Sequence, residues 1–332
     1  MRFLNSIPIF AASYKEQKII IQDVWQHCEE IIKDKKFDSI FSVDINKLPT
    51  DFLDFKKNIF STLFISIFHL LKIPPKRRYI YGFMNQLFRA WVTSADNLLD
   101  NEDKITFDIT MPGKSIKMCQ IVVIMLADRV MNRVLLTAED NGIFTRNEIK
   151  TISDASLQLL LPSAAEEATE EGGLKEWPTP EFVLQEIHQI KTAVLFHLPF
   201  LGPELIEKNI DINKVKDLKK AMSDFGTGCQ LLDDIRDLSR DYIEKRANYL
   251  ISDIFYNGLE SDRHKLQLLC QNGDINKSIA DQFPEKTQKI YDLAISLIEK
   301  SLEQLDKCGL NGVLIGKKAI VRALEKQIIS SD

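Results

Sequence analysis

The fold is decided by a stretch that reads Asp224-Phe-Gly-Thr-Gly-Cys-Gln-Leu-Leu-Asp-Asp-Ile-Arg-Asp-Leu-Ser-Arg-Asp241. Its first half carries no charge between Phe225 and Leu232, and four carboxylates then follow at Asp233, Asp234, Asp237 and Asp241. Residues three and four positions apart share a helix face, so these carboxylates and Gln230 are predicted to form one stripe. Because like charges at this spacing repel one another, the stripe favours a bound cation, and Mg²⁺ prefers carboxylates combined with substrate phosphates.

A second apolar segment also ends in acidic residues. Ala90-Trp-Val-Thr-Ser-Ala95 is uncharged and leads into Asp96-Asn-Leu-Leu-Asp100. Asp96 and Asp100 are four positions apart and therefore share a face of the predicted helix. We expect the two acidic helices to face each other across a pocket with a negative mouth and an apolar floor. Such a pocket suits a ligand with a diphosphate head and a hydrocarbon tail.

Three motifs together resemble those of the trans-polyprenyl diphosphate synthases, a family of class I isoprenoid synthases. Gly226-x-Gly228-x-Gln230-x-x-Asp233-Asp234-x-x-Asp237 resembles their second aspartate-rich motif, and Asp96-x-x-x-Asp100 is similar to a variant of the first. Lys191-Thr192-Ala193, between the two, resembles their lysine–threonine element. The resemblance covers roughly residues 75 to 250, and the order and spacing of the motifs fit the family.

The resemblance implies an enzyme that binds Mg²⁺, three ions in all, between two aspartate clusters. The implied catalytic residues are Asp96, Asp100, Asp233, Asp234 and Asp237, and the implied metal ligands are Asp96, Asp100, Asp233 and Asp237. Metal ions neutralise the charge that develops as an allylic C–O bond breaks, and a dry apolar pocket protects the resulting cation from water.

Further residues are candidates to bind the substrate. Lys191 and Thr192 are implied by the resemblance, and Gln230 lies on the acidic stripe. Basic groups that follow the stripe add charge-assisted hydrogen bonds to a phosphate, and they are Arg240, Lys245 and Arg246. Aromatic rings can stabilise a carbocation through cation–π attraction, and the candidates to line the cavity are Phe88, Trp91, Phe196 and Phe225. The loops at 101–115 and 240–250 are the predicted lids.

The reaction depends on whether a second diphosphate can bind. Chain-elongating members of the family carry an Asp-Asp pair in the first motif and an Arg-Arg-Gly soon after it. This sequence has Asp96-Asn97 and then Asp103-Lys-Ile-Thr-Phe, and its nearest match to an upstream Gly-Lys-Arg element is Pro75-Lys-Arg-Arg78. The departure favours a one-substrate reaction, that of a terpene synthase which ionises a prenyl diphosphate and cyclises or rearranges the carbocation.

Two alternatives stay open. The first is a prenyltransferase that elongates prenyl chains or couples them head to head, with other basic residues in place of the missing arginines, namely Lys76, Arg77, Arg78, Lys114 or Lys117. The second is a non-catalytic partner subunit of a prenyl synthase. A di-iron bundle is excluded, because that kind of site needs a Glu-x-x-His pair and the sequence has none.

The amino-acid composition is that of an ordinary globular protein. The chain has 332 residues, of which 45% are hydrophobic and 27% charged, as in ordinary globular proteins. A net charge of −5 and the lack of a long basic block give no reason to expect nucleic acid as a partner. The five cysteines are scattered and odd in number, which favours a reducing, cytoplasmic location.

Helical periodicity dominates the chain. We expect residues 1–332 to form a single all-α domain, an isoprenoid synthase-type helical bundle around a central apolar cavity, with residues 1–14 as an extended N-terminal strap. The apolar run 59–71 is too short to span a membrane and is predicted to be a buried helix. Residues 166–173 are predicted to be a surface loop, and a homodimer is possible because relatives are often dimers. The predicted helices are 15–34, 51–72, 76–101, 114–139, 145–161, 180–199, 213–242, 247–258, 261–271, 274–281, 284–308 and 313–330.

Overall fold

The computed structural model describes residues 7–33, 42–100, 102–193, 195–275 and 278–328, and leaves out the side chains of residues 192, 193 and 327. Almost all of the regular structure in this part of the chain is helical. The α-helices are α1 (Pro8–Lys33), α2 (Ile59–Leu70), α3 (Pro75–Asp100), α4 (Ile116–Asp140), α5 (Arg146–Glu170), α6 (Pro180–Phe182), α7 (Leu201–Ile206), α8 (Ile212–Arg236), α9 (Leu238–Glu244), α10 (Tyr249–Asn257), α11 (Glu260–Leu269), α12 (Pro284–Lys307) and α13 (Val313–Ile328).

Shorter elements connect the helices. Two strands, β1 (Asp44–Ile45) and β2 (Ile109–Thr110), pair antiparallel, with Ile45 opposite Ile109. The helix that starts as α6 continues as two π-helical segments, Val183–Ile187 and Gln189–Ala193. Turns of 3₁₀-helix occur at Thr50–Leu53, Lys56–Asn58, Pro112–Lys114, Leu195–Phe200 and Ala280–Gln282.

The residues group into two compact units. The N-terminal unit consists of Pro8–Ile152 and Gly202–Ile210, and the C-terminal unit contains Ser153–Leu201 and the chain from Asp211 onward. Each unit has a buried core of its own, with Phe83 among the fully buried side chains of the first and Phe225 among those of the second. The single-domain organisation stays a prediction.

The N-terminal unit is built around α3. Helix α2 has a buried residue at most positions, which explains its nearly continuous apolar sequence. Polar contacts join α1 to the start of α3: Arg78 Nε and Nη2 each donate to Glu16 at 2.8 Å, and the Tyr79 hydroxyl donates to Asp23 at 2.7 Å. These contacts anchor the first turns of α3.

Most of the predicted helices are confirmed. Helix α2 is buried as predicted, and Thr179 caps α6 by accepting a hydrogen bond from Phe182 N at 3.2 Å. No helix in the described ranges combines the length and the apolar character that crossing a membrane requires.

Four predictions about local structure are wrong. The prediction of an extended N-terminal strap is wrong from Pro8 onward, because α1 begins at this proline, a residue that is favoured at the first helical position. Residues 1–6 lie outside the described part. The prediction of a surface loop at 166–173 is wrong for residues 166–170, because α5 continues past Pro162 to Glu170. Residues 213–242 form two helices rather than one. Of the helix predicted at 274–281, residues 276 and 277 lie outside the described part, and the described residues form no helix other than the 3₁₀ turn at Ala280–Gln282.

Candidate acidic site on α8

Helix α8 carries the second acidic motif at its C-terminal end. The helix begins after Asp211, whose carboxylate accepts hydrogen bonds from Asn213 N at 3.0 Å and Lys214 N at 3.1 Å. It ends at Arg236, and Asp237 is the C-cap residue with non-helical backbone angles. The chain turns there into α9, so the predicted continuous stripe is interrupted between Asp237 and Asp241.

The two glycines in α8 allow close packing. A Cβ atom at Gly226 would lie 2.7 Å from Cδ2 of Phe196, and one at Gly228 would lie 2.8 Å from the carbonyl oxygen of Ala294 on α12. Real side chains do not approach this closely, so both positions require glycine. Gly228 therefore lets α12 contact the backbone of α8 directly, which holds the acidic end of α8 against the core of the C-terminal unit.

Asp234 is buried and has partners on both oxygens. Its Oδ2 accepts a hydrogen bond from Tyr249 N at 2.7 Å and lies 3.1 Å from Nε2 of His188, which is itself buried. Its Oδ1 accepts from Gln230 Nε2 at 3.2 Å. Asp234 and Gln230, predicted to contact metal or diphosphate, thus contact each other, and Asp234 joins α8 to the start of α10.

Asn248 reinforces this connection. Its Nδ2 donates to the carbonyl oxygen of Asp234 and to Oδ2 of Asp241, both at 2.8 Å. Asp241 is buried, and burial raises its pKa well above the usual range of an aspartate. Asp241 therefore belongs to the packing between α9 and the loop before α10.

Asp233 and Asp237 converge on one positive group, the guanidinium of Arg236. Nη2 of Arg236 lies 2.6 Å from Asp233 Oδ1 and 2.5 Å from Asp237 Oδ2, and Nε donates to Asp237 Oδ1 at 2.7 Å. Nη2 of Arg240 lies 2.6 Å from Asp237 Oδ2. Desolvation, opposed by Arg236 and reinforced by the neighbouring carboxylates, raises the pKa of Asp233 to about 6.

This geometry tests whether the site fits a divalent cation. No group of three or more histidine, cysteine or acidic side chains in the described part of the chain is arranged to hold a metal. Asp233 and Asp237 nevertheless aim at one point, which the Arg236 guanidinium occupies as a cation would. The two carboxylates fit Mg²⁺ in chemistry and direction once Arg236 moves. Asp234 does not fit, because the groups around it already use both of its oxygens.

Lys191 lies in a cluster of glutamates on α5. Its Nζ is 2.8 Å from Glu167 Oε1 and 3.4 Å from Glu170 Oε2. Burial acts against the ammonium, but the carboxylates outweigh it and raise the pKa of Lys191. Burial also raises the pKa of Glu166, in the same cluster, to about 7. Lys191 is thus an ion-pair partner in this structure rather than an open basic group.

The other predicted basic ligands have different surroundings. Arg246 Nε lies 2.9 Å from Glu244 Oε2, whereas Lys245 is exposed and adopts a left-handed backbone conformation with φ of 58°. Thr192 lies in the π-helical segment, and its side chain is not among those described. The predicted lid at 240–250 is helical as far as Glu244.

Two of the four predicted cavity aromatics contact each other. The rings of Phe196 and Phe225 lie 5.8 Å apart between centroids, and both side chains are buried in the C-terminal unit. Phe88 and Trp91 are half-buried on α3 in the N-terminal unit. A shared cavity lined by all four stays a prediction.

The first acidic motif lies at the end of α3 in the N-terminal unit. Asp96 is exposed, Asp100 is half-buried, and Asn97 between them is buried and donates to the carbonyl oxygen of Lys104 at 2.7 Å. In the segment predicted as a lid, Ile109 and Thr110 pair with β1. That the two acidic motifs face each other across a pocket stays a prediction.

Two residues of the site, Glu170 and His188, are not among those predicted from the sequence. Glu170 is buried, and its Oε1 accepts a hydrogen bond from Ala247 N at 2.8 Å. His188 is buried and lies 3.1 Å from Asp234, a contact that the local sequence does not indicate. The acid-rich run that ends in two glycines predicted a loop at Glu170, and only the charge balance with Lys191 could have indicated a buried carboxylate.

Comparisons with known proteins agree with the helical architecture. No protein family model matches the sequence, and no curated protein matches it significantly. A decaprenyl diphosphate synthase from Rhodobacter capsulatus superposes with a TM-score of 0.59 at 12% identity, over 94% of this chain and 99% of that one. A geranylgeranyl pyrophosphate synthetase from Pyrococcus horikoshii has a TM-score of 0.58 at 15% identity, over 98% and 99%.

A third structure was solved with ligands. A polyprenyl synthase from Caulobacter crescentus, complexed with calcium and isoprenyl diphosphate, has a TM-score of 0.55 at 12% identity, over 95% of this chain and 97% of that one. At these identities the likeness is one of fold. The chain has the all-α fold of the class I isoprenoid synthases.

Proposed function

We propose that the chain is a prenyltransferase of the isoprenoid synthase type, which ionises an allylic prenyl diphosphate and joins the carbocation to a second prenyl substrate. The observation that carries the proposal is the convergence of Asp233 and Asp237 on one positive group, at the end of a helix in this fold. The solved structures with the same fold bear the names of prenyl chain synthases, which favours condensation over the cyclisation expected from the missing arginines.

The proposed cofactor is Mg²⁺, held by Asp233 and Asp237 and, as the resemblance implies, by Asp96 and Asp100, with three ions in all. Bound Mg²⁺ supplies positive charge that neutralises a leaving diphosphate. When Asp233 and Asp237 release Arg236 and Arg240, these guanidinium groups become free to donate to diphosphate oxygens. The carboxylates would then bind Mg²⁺ in place of the arginines, and the arginines would bind the diphosphate in place of the carboxylates.

Lys191 would likewise leave its carboxylate partners and donate to the diphosphate. Its ammonium is paired with Glu167 and Glu170, and a bound diphosphate would compete with these carboxylates for it. The Ala247 N–H, which donates to Glu170, lies in the loop before α10, so a change at Lys191 would reach the proposed lid. Exclusion of water by this loop would protect the carbocation.

Cyclisation of a single prenyl diphosphate is the second candidate. Arg77 is paired with Glu148 at 2.8 Å and Glu207 at 3.1 Å, and Arg78 is paired with Glu16 at 2.8 Å. Both arginines therefore have structural partners and are poorly placed to replace the missing second-substrate arginines. Lys76 lies 20 residues before Asp96 on α3, about 30 Å along the helix axis, so Lys114 and Lys117 remain for that role.

Product analysis separates the candidates. The full chain is incubated with Mg²⁺ and allylic diphosphates of several chain lengths, with and without isopentenyl diphosphate. A longer prenyl diphosphate formed only when isopentenyl diphosphate is present supports condensation, and a hydrocarbon or alcohol formed from one diphosphate alone supports cyclisation. Absence of diphosphate release from every substrate would refute both and leave the non-catalytic partner subunit. A homodimer and a cytoplasmic location stay predictions.

A further inference from the structure

A cavity of about 570 Å³ lies within the N-terminal unit, where α1, the first turns of α3 and the last turns of α4 meet. Its volume is in the range of pockets that bind small organic ligands, about 300–1,000 Å³. It is not lined by any of the residues predicted to bind the allylic diphosphate, which are Lys191, Thr192, Gln230, Arg240, Lys245 and Arg246. The lining residues are His27, Pro75, Lys76, Tyr79, Ile80, Phe83, Val134, Thr137, Ala138, Asn141 and Ile143.

The inner wall of the cavity is apolar. Ile80, Phe83, Val134 and Ala138 contribute to it, and each of them is buried in the core. The ring of Phe83 packs edge-on against His27, with 5.6 Å between the ring centroids. A wall of this composition favours a hydrocarbon chain or an aromatic ring over a fully polar ligand.

The rim of the cavity carries positive charge at the start of α3. Lys76 is exposed and forms no ion pair with any residue in the described ranges. It stands next to Pro75, the first residue of a 26-residue helix, where the helix dipole favours an anion. At the C-terminal end of α4, which also lines the cavity, two carbonyl oxygens already accept backbone hydrogen bonds. Asn141 N donates to Thr137 O at 3.1 Å, and Ile143 N donates to Ala138 O at 2.9 Å.

His27 supplies a second polar group. Its Nδ1 is buried and makes no hydrogen bond within the described residues. The nearby carboxylate oxygen, Oε2 of Glu30, lies 3.9 Å away, too far for a hydrogen bond, and is 3.4 Å from Nη1 of Arg133. Other carboxylates are close in the sequence to the lining residues: Asp23 accepts a hydrogen bond from the Tyr79 hydroxyl at 2.7 Å, and Glu139 and Asp140 lie between the lining residues Ala138 and Asn141.

We propose that this cavity binds a small amphipathic carboxylate. The hydrocarbon part lies against Phe83 and Ile80, and the carboxylate lies at the rim beside Lys76 and the first turn of α3. Lys76 is 20 residues before Asp96 on the same helix, which places the cavity about 30 Å from the first acidic motif along the helix axis. The cavity is therefore a separate site, and its occupation does not depend on the proposed function.

Calorimetric titration with octanoate, and with 1-octanol as its uncharged counterpart, tests the proposal. We expect octanoate to bind the wild-type chain more tightly than octanol does. The Lys76→Glu variant should weaken octanoate binding at least tenfold and leave octanol binding within about twofold. The matched control is Lys47→Glu, the same charge reversal at an exposed lysine outside the cavity, and it should bind both probes as the wild type does.

A second variant tests the location without changing charge. Thr137 is exposed at the rim, so Thr137→Trp should close the cavity without disturbing the core, and both probes should then fail to bind. A melting temperature equal to that of the wild type shows that the fold is intact. Failure of octanoate to bind the wild-type chain at millimolar concentration overturns the proposal. Equal octanoate binding by the wild type, Lys76→Glu and Thr137→Trp also overturns it, because the ligand would then lie elsewhere.

Discussion

Arg236→Gln is the substitution that best tests the acidic site on α8. It removes the guanidinium that lies 2.6 Å from Asp233 and 2.5 Å from Asp237, and the hydrogen bond from Nη1 to the carbonyl oxygen of Ile328 at 3.0 Å. The two carboxylates then repel each other more strongly, because only the Arg240 guanidinium, 2.6 Å from Asp237, remains as a counter-charge. We expect the free energy of unfolding to fall by about 2 kcal/mol, because the lost contacts are charge-assisted but only partly buried.

The same substitution should strengthen Mg²⁺ binding. Two unit charges about 4 Å apart interact with about 1 kcal/mol in water and about 4 kcal/mol near a protein surface, so the guanidinium repels a bound cation by an energy in this range. Loss of the guanidinium should therefore lower the Kd for Mg²⁺ by roughly fivefold to several hundredfold. The assay is calorimetric titration with Mg²⁺ without substrate, supported by the rise in Tm that Mg²⁺ produces.

The matched control is Arg322→Gln on α13. Arg322 is exposed and forms no ion pair within the described part of the chain, so this substitution makes the same change of charge away from the site. We expect its Mg²⁺ affinity to equal that of the wild type. Equal affinities for Arg236→Gln, Arg322→Gln and the wild type would refute the reasoning that the guanidinium occupies the position of a cation.

Three further predictions concern stability. Lys191→Met leaves two glutamates on α5 without their cation, and urea titration should show a loss of about 3–5 kcal/mol. Gly228→Ala places a Cβ atom 2.7 Å from Cγ1 of Ile298, and thermal unfolding should show a loss of about 1–3 kcal/mol despite the better helix propensity of alanine. Burial opposes the ionised form of Glu16, but hydrogen bonds from its basic neighbours lower its pKa from 4.5 to about 2. This depressed pKa stabilises the fold above about pH 4.5, and the contribution, about 1–2 kcal/mol after allowance for solvent screening, should be lost as the pH falls towards 2.

Each of these three predictions has its own control. Adding Glu170→Gln to Lys191→Met should recover part of the stability, and no recovery would contradict the ion-pair explanation. Gly172→Ala should change stability by less than about 0.5 kcal/mol, because no atom lies within 4 Å of the added Cβ. Acid unfolding of Glu16→Gln should show a weaker pH dependence between 4.5 and 2 than that of the wild type, and identical curves for the two proteins would contradict the assignment to Glu16.

Features that depend on neighbours along the chain could be predicted from the sequence. The uncharged run up to Ala95 and the two prolines before Lys76 predict α3 almost to the residue, because apolar spacing and the missing proline N–H act locally. Thr179 followed by Pro180 marks the start of a helix for the same reason. The close spacing of Asp233 and Asp237 likewise indicates two carboxylates on one face.

Helix ends were harder to predict where tertiary contacts override local preference. A proline and a glycine pair suggest that α5 ends before Glu166, but the helix continues to Glu170, where the carboxylate meets Lys191 and Ala247 N. Pro162 would end a helix by local preference, whereas the contacts of Glu170 with Lys191 and Ala247 N are tertiary contacts made beyond it. Nothing local to Glu170 reveals a partner in a different helix.

The amino-acid sequence by itself determined which segments are helical, which residues share a helix face and where acidic groups concentrate, because these follow from backbone geometry over a few residues. Only the tertiary structure decided what each charge faces: Asp234 meets His188 and Tyr249 N, Asp237 meets two guanidinium groups, and Lys191 meets two glutamates. Electrostatic energy depends on distance in space and on burial, and the packing of helices far apart in the chain sets both.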